Sequence, residues 1–113
     1  MATLLIVDDE KDIVSALEIY LKPEGYEILT ANSGKQAVDI MHREKVDLIL
    51  MDIMMPEMDG YQATSKIREE SNVPIIFLTA KSEDTDMILG LNIGADDYIT
   101  KPFNPAEVIA RVR

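Results

Sequence analysis

The chain has 113 residues, and its 11 Lys and Arg against 21 Asp and Glu give a formal net charge of −10. This length suits one domain, and the 47% apolar and 28% charged composition is typical of a soluble globular protein. Its apolar runs are too short for a transmembrane helix. The absence of cysteine excludes disulfides, thiolate zinc sites and a Cys nucleophile, and His42 is the only histidine. The negative net charge argues against direct binding to nucleic acid. We therefore expect a cytoplasmic domain, without membrane contact, whose chemistry rests on oxygen ligands.

Short apolar runs alternate with amphipathic stretches along the chain. The runs predicted to form strands are residues 4–7, 26–30, 48–51, 75–78 and 98–99. Apolar residues recur at helical spacing within residues 13–21, 37–41, 63–67, 88–91 and 108–112. The first, third and fourth strand runs are continuously apolar, which favours burial on both faces of a parallel sheet.

Residues at the ends of the amphipathic stretches support these boundaries. Pro23-Glu24-Gly25 predicts the end of the first helix. Ser33 with Gln36 three residues later predicts a capping box at the second. Near the C-terminus, residues 104–107 (NPAE) offer a capping side chain, a proline at the first helical position and an acid in the first turn.

Five β-α units without an internal repeat or linker predict an α/β fold that occupies the whole chain. Regular alternation implies parallel strands, right-handed crossovers and helices on both faces of the sheet. The half-polar second and fifth strands belong at the edges. The expected strand order is therefore 2-1-3-4-5, the order of flavodoxin-like folds.

Ligands of such open sheets bind beyond the carboxyl ends of the strands. The polar residues at those ends, which the fold should bring to one edge, are Asp8, Asp9, Glu10, Asp52, Thr79 and Lys101. Each also has a simpler interpretation when taken alone. Asp9 or Glu10 could cap a helix, Asp52 could start a turn, Thr79 could simply end a strand and Lys101 could be a surface charge. Their coincidence at four different strand ends favours a site.

Clustered carboxylates at this edge repel one another, so either one carboxyl stays protonated or a cation compensates the charge. At ~4 Å each like-charge pair costs about 1–4 kcal/mol at the dielectric of a protein surface. One lysine cannot balance three carboxylates, whereas Mg²⁺ suits a site with few protein oxygens that also receives phosphate oxygens. An aspartate beside the metal can be the nucleophile that forms an aspartyl phosphate, and Asp52 is the candidate.

The runs at these strand ends have distinctive sequences: Asp8-Asp9-Glu10, residues 52–60 (DIMMPEMDG), 79–81 (TAK) and 98–103 (YITKPF). Together they resemble the receiver domain of two-component response regulators, and the likeness covers essentially the whole chain. Residues 90–98 (GLNIGADDY), followed by 101–103 (KPF) and 110–112 (ARV), resemble the OmpR/PhoB-type subfamily in particular.

The resemblance implies a phosphoacceptor site that binds magnesium. Asp52 would accept a phosphoryl group from the phosphohistidine of a sensor histidine kinase, or from a small acyl phosphate. Asp9, Asp52 and the backbone carbonyl of Met54 would ligate Mg²⁺ directly, while Asp8 would act through a metal-bound water. As a signalling phosphoacceptor, the domain would catalyse only its own phosphorylation and dephosphorylation.

The resemblance also implies how phosphorylation changes the molecule. Thr79, Lys101 and the backbone amides of Met54 and Ala80 would contact the phosphoryl oxygens. Tyr98 would rotate inward as the Thr79 hydroxyl moves toward the phosphoryl group. This movement would remodel the surface formed by the fourth helix, the fifth strand and the fifth helix.

In the subfamily, that surface makes a symmetric homodimer through salt bridges. Asp97 and Arg111 of the other subunit match one expected pair. Glu107 matches half of another, but Met87 stands where its basic partner is expected. This departure predicts a weaker or more apolar dimer.

Other functions fit the residues less well. A haloacid-dehalogenase-type phosphatase needs a second Asp where Met54 stands, and a flavin or nucleotide binder needs a Gly-, Ser- or Thr-rich loop where Asp8-Asp9-Glu10 stands. A receiver-like module that has lost phosphorylation is disfavoured because all five key side chains are present. The resemblance implies that residues 1–113 are the receiver of a longer transcription factor, whose C-terminal DNA-binding domain is absent; the alternative is a stand-alone receiver.

Overall fold

The structure, a computed structural model, describes residues 2–79, 96–100 and 103–112. Its elements in chain order are β1 Thr3–Val7, α1 Lys11–Leu21, a 3₁₀ helix Lys22–Glu24, β2 Glu27–Ala31, α2 Gly34–Arg43, β3 Leu48–Asp52, α3 Gly60–Arg68, β4 Ile75–Thr79, β5 Asp97–Thr100 and a C-terminal helix Pro105–Val112. All five predicted strands are confirmed. The helix predicted around residues 88–91 lies outside the described residues.

The five strands form one parallel sheet in the order β2-β1-β3-β4-β5, as predicted. The half-polar strands occupy the edges, and β2 has only one buried residue, Ala31. All five residues of β4 are buried. A central strand is covered on both faces, which explains why its sequence is continuously apolar rather than alternating.

Alternate side chains of each strand pack into two separate cores, one on each face of the sheet. Leu5, Val7 and Phe77 pack with the apolar side chains of α2 and α3. Leu4 and Ile6 pack on the other face with those of α1 and the C-terminal helix. Because the side chains of a strand alternate between faces, one continuous apolar run supplies both cores.

The predicted helix boundaries hold with one correction. Helix α1 ends at Leu21, and Gly25 has the positive φ of 93° that favours glycine after a helix. Ser33 caps α2 by accepting a hydrogen bond from the Gln36 amide, as predicted. The reciprocal half of that capping box is wrong, because the Gln36 side chain accepts from the Asn32 amide at 2.7 Å rather than from Ser33.

The C-terminal helix begins as its sequence predicted. Pro105 is its first residue, and the side chain of Asn104 accepts a hydrogen bond from the Ala106 amide at 2.9 Å. Glu107 lies in the first turn, where a carboxylate is favoured by the helix dipole. None of the helices in the described ranges is both long enough and apolar enough to cross a bilayer.

Candidate functional site

The register of β1 and β3 places two aspartates side by side. Val7 pairs with Met51 as the last pair of that ladder. Asp8 follows Val7 and Asp52 follows Met51, so the two aspartates are level with each other at the carboxyl edge of the sheet. Adjacent parallel strands are about 4.8 Å apart, which makes the backbones that carry these carboxylates direct neighbours.

The register of β3 and β4 extends this row of polar residues by one strand. Asp52 pairs with Leu78, so Thr79 follows one step beyond. Thr79 in turn pairs with Thr100, the last residue of β5. The carboxyl ends of β1, β3 and β4 therefore present Asp8, Asp52 and Thr79 along one edge, as the sequence predicted.

These side chains are buried although they are polar. The relative exposure is 1% for Asp8, 3% for Asp52 and 7% for Thr79. Thr64 is the one other buried polar side chain in the described residues. Buried carboxylates are expensive to desolvate and are rarely kept without a partner or a function. Their concentration at one edge makes this edge the candidate functional site.

A group of potential metal ligands lies at the β1 end of this edge. Asp8, Asp9 and Glu10 each offer a carboxylate oxygen, and the three oxygens lie within 4.8 Å of one another. The Asp8 Oδ1 also accepts a hydrogen bond from the Glu10 amide at 2.9 Å. Asp9 and Glu10 are exposed, and Glu10, at the N-cap of α1, makes no capping bond with its side chain. Glu10 therefore occupies the N-cap position, but it does not cap the helix through its side chain.

This donor set fits Mg²⁺, which prefers hard oxygen ligands and retains waters on its open sides. Asp8 and Asp9 belong to the cluster, as the proposed site requires. The Asp52 carboxylate does not belong to that group of mutually close oxygens. Its direct ligation of the metal therefore stays a prediction.

A glycine lets α3 press against the end of β3. A Cβ at Gly60 would lie 2.4 Å from the carbonyl oxygen of Asp52 and 2.8 Å from the Cα of Ile53. In addition, the Gly60 amide donates a 2.9 Å hydrogen bond to the Ile53 carbonyl. Only glycine permits this backbone approach, which holds the strand end that carries Asp52.

The loop between β3 and α3 has an unusual backbone conformation and ends in a hydrogen-bonded cap. Glu57 adopts a positive φ of 66°, which is uncommon for a residue with a Cβ. The side chain of Asp59 accepts from the Gln62 amide at 2.8 Å, and the Gln62 side chain accepts from the Asp59 amide at 3.0 Å. Within this constrained loop Met55 is buried, whereas Met54 is 77% exposed.

The residues expected to form the switch lie on neighbouring strands, Thr79 at the end of β4 and Tyr98 on β5. The partly buried Tyr98 ring makes an edge contact with Phe77, with centroids 5.9 Å apart. On the other side, Phe77 meets Tyr61 in the same way at 5.3 Å. Tyr98 is thus packed against the core formed with α2 and α3, in the same ladder as Thr79.

The acidic and basic residues expected at a dimer surface interact within one chain. Arg111 Nη1 lies 2.9 Å from Asp97 Oδ2 and 3.1 Å from Oδ1, so one guanidinium nitrogen contacts both carboxylate oxygens. Glu107 is exposed on the same helix. Lys101 and Ala80 of the expected phosphoryl site and Met87 of the expected dimer surface lie outside the described residues.

Three interactions away from the carboxyl edge of the sheet were not predicted. Asp96 accepts hydrogen bonds from the Ile75 amide at 2.8 Å and from Arg68 Nη2 at 3.2 Å. His42, exposed on α2 as expected, lies 2.7 Å from Glu70 beside a cavity of about 410 Å³ between α2 and α3. A second cavity, of about 340 Å³, lies at the carboxyl edge of the sheet, and Asp8 and Asp9 are among its lining residues.

Known proteins resemble this chain over nearly its full length. The chain is 53% identical over 113 residues to the transcriptional regulatory protein YvrH of Bacillus subtilis, covering 99% of this chain and 48% of YvrH. It thus spans about half the length of that curated relative.

Solved structures share the fold. A two-component response regulator from Clostridium difficile matches with a TM-score of 0.95 at 33% identity, over 99% of this chain and 93% of the other. The chemotaxis response regulator CheY4 of Vibrio cholerae matches with a TM-score of 0.94 at 31% identity, over 99% and 96%. The family model of the response regulator receiver domain matches residues 4–113. The chain belongs to the response regulator receiver domain family.

Proposed function

We propose that Asp52 is the phosphoacceptor of this receiver domain and that a sensor histidine kinase is its phosphoryl donor. The supporting observation is the juxtaposition of two buried carboxylates, Asp8 and Asp52, at the ends of neighbouring strands. In the transfer, a carboxylate oxygen of Asp52 attacks phosphorus, and the bond from phosphorus to the kinase histidine nitrogen breaks. A small acyl phosphate would serve as donor in the same way.

Asp8 and Asp9, with Asp52 and the Met54 carbonyl, are the residues that would hold Mg²⁺. The bound ion would supply positive charge that lowers the repulsion between the carboxylates and the incoming phosphoryl oxygens. Burial of Asp8 and Asp52 strengthens every electrostatic interaction at this edge, because the local dielectric is lower than that of water. The protein's contribution is to fix the acids in place before the phosphoryl group arrives.

Thr79 would contact a phosphoryl oxygen. It ends the strand next to Asp52, one register step beyond Leu78. Its hydroxyl would donate to the phosphoryl group, and Lys101 and the amides of Met54 and Ala80 would complete the set of donors. Fixed donors aimed at developing negative charge stabilise the transition state of such transfers.

The signal would pass from Thr79 to Tyr98 through the β4–β5 ladder. Movement of the Thr79 hydroxyl toward the phosphoryl group would vacate space, and the Tyr98 ring would turn inward from its edge contact with Phe77. A local charge change would thereby alter an exterior surface. That surface consists of β5, the C-terminal helix and the predicted helix around residues 88–91.

Dimerisation through this surface would require an exchange of ion-pair partners. Asp97 and Arg111 already contact each other within one chain. In a symmetric OmpR/PhoB-type homodimer, each would leave its own partner and pair with the other subunit. Glu107 would face a surface in which Met87 replaces the expected basic residue. Both features favour a weak dimer.

We further propose that the domain controls a C-terminal DNA-binding domain of a cytoplasmic transcription factor. Support comes from the similarity to a transcriptional regulatory protein of which this chain covers 48%. A net charge of −10 agrees with DNA contacts made elsewhere in the protein. The receiver itself would act on no substrate other than its own phosphoryl group.

Acetyl phosphate provides a direct test. Intact-mass spectrometry should show an adduct of about 80 Da, the mass of one phosphoryl group, when Mg²⁺ is present. The adduct should not form when EDTA is added before acetyl phosphate. Asp52→Asn should abolish the adduct. Asp39→Asn, an exposed acid on α2, is the matched control and should retain it. An adduct that survives in Asp52→Asn, or that forms equally without Mg²⁺, would contradict the proposal.

A further inference from the structure

Methionine exposure varies sharply in the segment that carries Asp52. Met51 is 0% exposed and Met55 is 7% exposed, whereas Met54 is 77% exposed. Met41 and Met58 are partly buried against the core. Among the methionines of the described ranges, the thioether of Met54 is therefore the most accessible to a reagent in solution.

Met54 is also the methionine placed to affect the reaction of Asp52. Only Ile53 separates the two residues, so their Cα atoms lie at most about 7.6 Å apart by chain geometry. Ile53 turns into the core, and Met54 projects outward at the edge where Asp52 and Thr79 end their strands. A change in the polarity of Met54 therefore occurs beside the proposed phosphoryl group.

We propose that Met54 is a peroxide-sensitive modification site that shortens the lifetime of the aspartyl phosphate; the second half rests on the proposed function of Asp52. In the reaction, the sulfur lone pair attacks one oxygen of a hydroperoxide and the O–O bond breaks. The sulfur gains oxygen and is oxidised to the sulfoxide. The proton on the attacked oxygen passes to the other oxygen, which leaves as water or an alcohol, so the peroxide is reduced.

The sulfoxide would change what the side chain does at the site. A thioether is apolar and at most a weak acceptor, so the Met54 side chain offers little to hold a water molecule. A sulfoxide oxygen is a polar acceptor that can hold a water molecule through a hydrogen bond. Such a water, held beside the phosphoryl group, is available to attack phosphorus. Oxidation should therefore accelerate hydrolysis of the aspartyl phosphate.

The site itself is tested by graded oxidation with hydrogen peroxide and peptide mapping by mass spectrometry. Met54 should gain oxygen first, before Met41 and Met58, while Met51 and Met55 are protected in the folded protein. Under denaturing conditions these five residues should react at similar rates, which makes the unfolded chain its own control. Oxidation of any of the other four at least as fast as Met54 in the folded protein overturns the assignment.

The consequence is tested on protein phosphorylated with acetyl phosphate and freed of excess reagent. After peroxide, the rate constant of phosphoryl loss should rise about fivefold, the effect of one hydrogen bond to the attacking water. Methionine sulfoxide reductase should reverse the change. Each variant is compared with itself before and after peroxide. Met54→Leu should lose the response, and Met58→Leu should keep it.

The outcomes separate this proposal from the one on which it rests. An unchanged rate after oxidation, or an equal response in Met54→Leu, overturns the effect on lifetime. A protein that gains no phosphoryl group contradicts the role of Asp52 and with it the effect on lifetime. The peptide map still decides whether Met54 is the modification site.

Discussion

Aspartates lie at both ends of the β-sheet, but their surroundings differ. At the amino end, Asp47 accepts from the Thr3 amide at 2.7 Å, and Asp96 accepts from the Ile75 amide and from Arg68. These carboxylates lie at the surface and tie chain segments together. At the carboxyl end, Asp8 and Asp52 are buried side by side.

The two ends are therefore expected to contribute differently to the stability of the fold. A carboxylate that accepts from a backbone amide or a guanidinium contributes to folding. Two neighbouring buried carboxylates oppose folding through repulsion and desolvation. The amino end is therefore expected to stabilise the sheet, and the carboxyl end is expected to be less stable until a cation binds.

The largest effect is expected at the close backbone contact of the carboxyl end. Gly60→Ala would place a Cβ 2.4 Å from the Asp52 carbonyl oxygen and force α3 away from β3. We expect a loss of about 3 kcal/mol in the free energy of unfolding, measured by urea denaturation. Phosphorylation by acetyl phosphate should slow as well, because the strand end moves. Ser65→Ala, exposed on the same helix, is the control; an equal effect there would argue against a specific contact.

An intermediate loss is expected when the amino end loses its acceptor. Asp96→Ala leaves the Ile75 amide and Arg68 without this carboxylate, and we expect a loss of about 2 kcal/mol in urea denaturation. Asp96→Asn keeps one acceptor oxygen and should lose less. Because this end lies away from the acids, the folded variants should accept a phosphoryl group at the rate of the parent. A reduced rate would mean that the two ends are coupled.

The smallest effect has the opposite sign. Asp8→Asn keeps the oxygen that accepts from the Glu10 amide but removes one of the crowded charges. Without Mg²⁺ we expect a gain of about 1 kcal/mol in the free energy of unfolding, because repulsion falls. The rise in melting temperature that Mg²⁺ gives the parent protein should disappear. Asp12→Asn, an exposed acid in the first turn of α1, should preserve the Mg²⁺ response. Loss of stability in Asp8→Asn would contradict the repulsion argument.

Much of the fold and the row of site residues followed from the sequence because parallel strands constrain each other. Continuous apolar runs identified the central strands, and strand ends then had to meet at one edge. Asp8, Asp52 and Thr79 came together for that reason. The cap at Ser33 was equally local, since it needs only a residue three positions later.

Side-chain interactions between residues far apart in the sequence could not be predicted from local patterns. Asp96 and Arg68 are 28 positions apart, and no periodic pattern connects the start of β5 with the end of α3. The pairing of Asp97 with Arg111 was expected only between subunits, because charge complementarity alone does not say which copy supplies the partner. The Asp59–Gln62 capping box has a local spacing that the sequence shows, although it was not among the predictions.

The contact between Asp97 and Arg111 has a consequence for how assembly responds to ionic strength. If two chains associate by trading this pair, each subunit breaks one ion pair and forms an equivalent one, so the number of neutralised charges stays constant. Added salt screens the broken and the formed pair alike. Association would then be almost indifferent to salt, whereas an interface built from previously solvated charges weakens as salt rises.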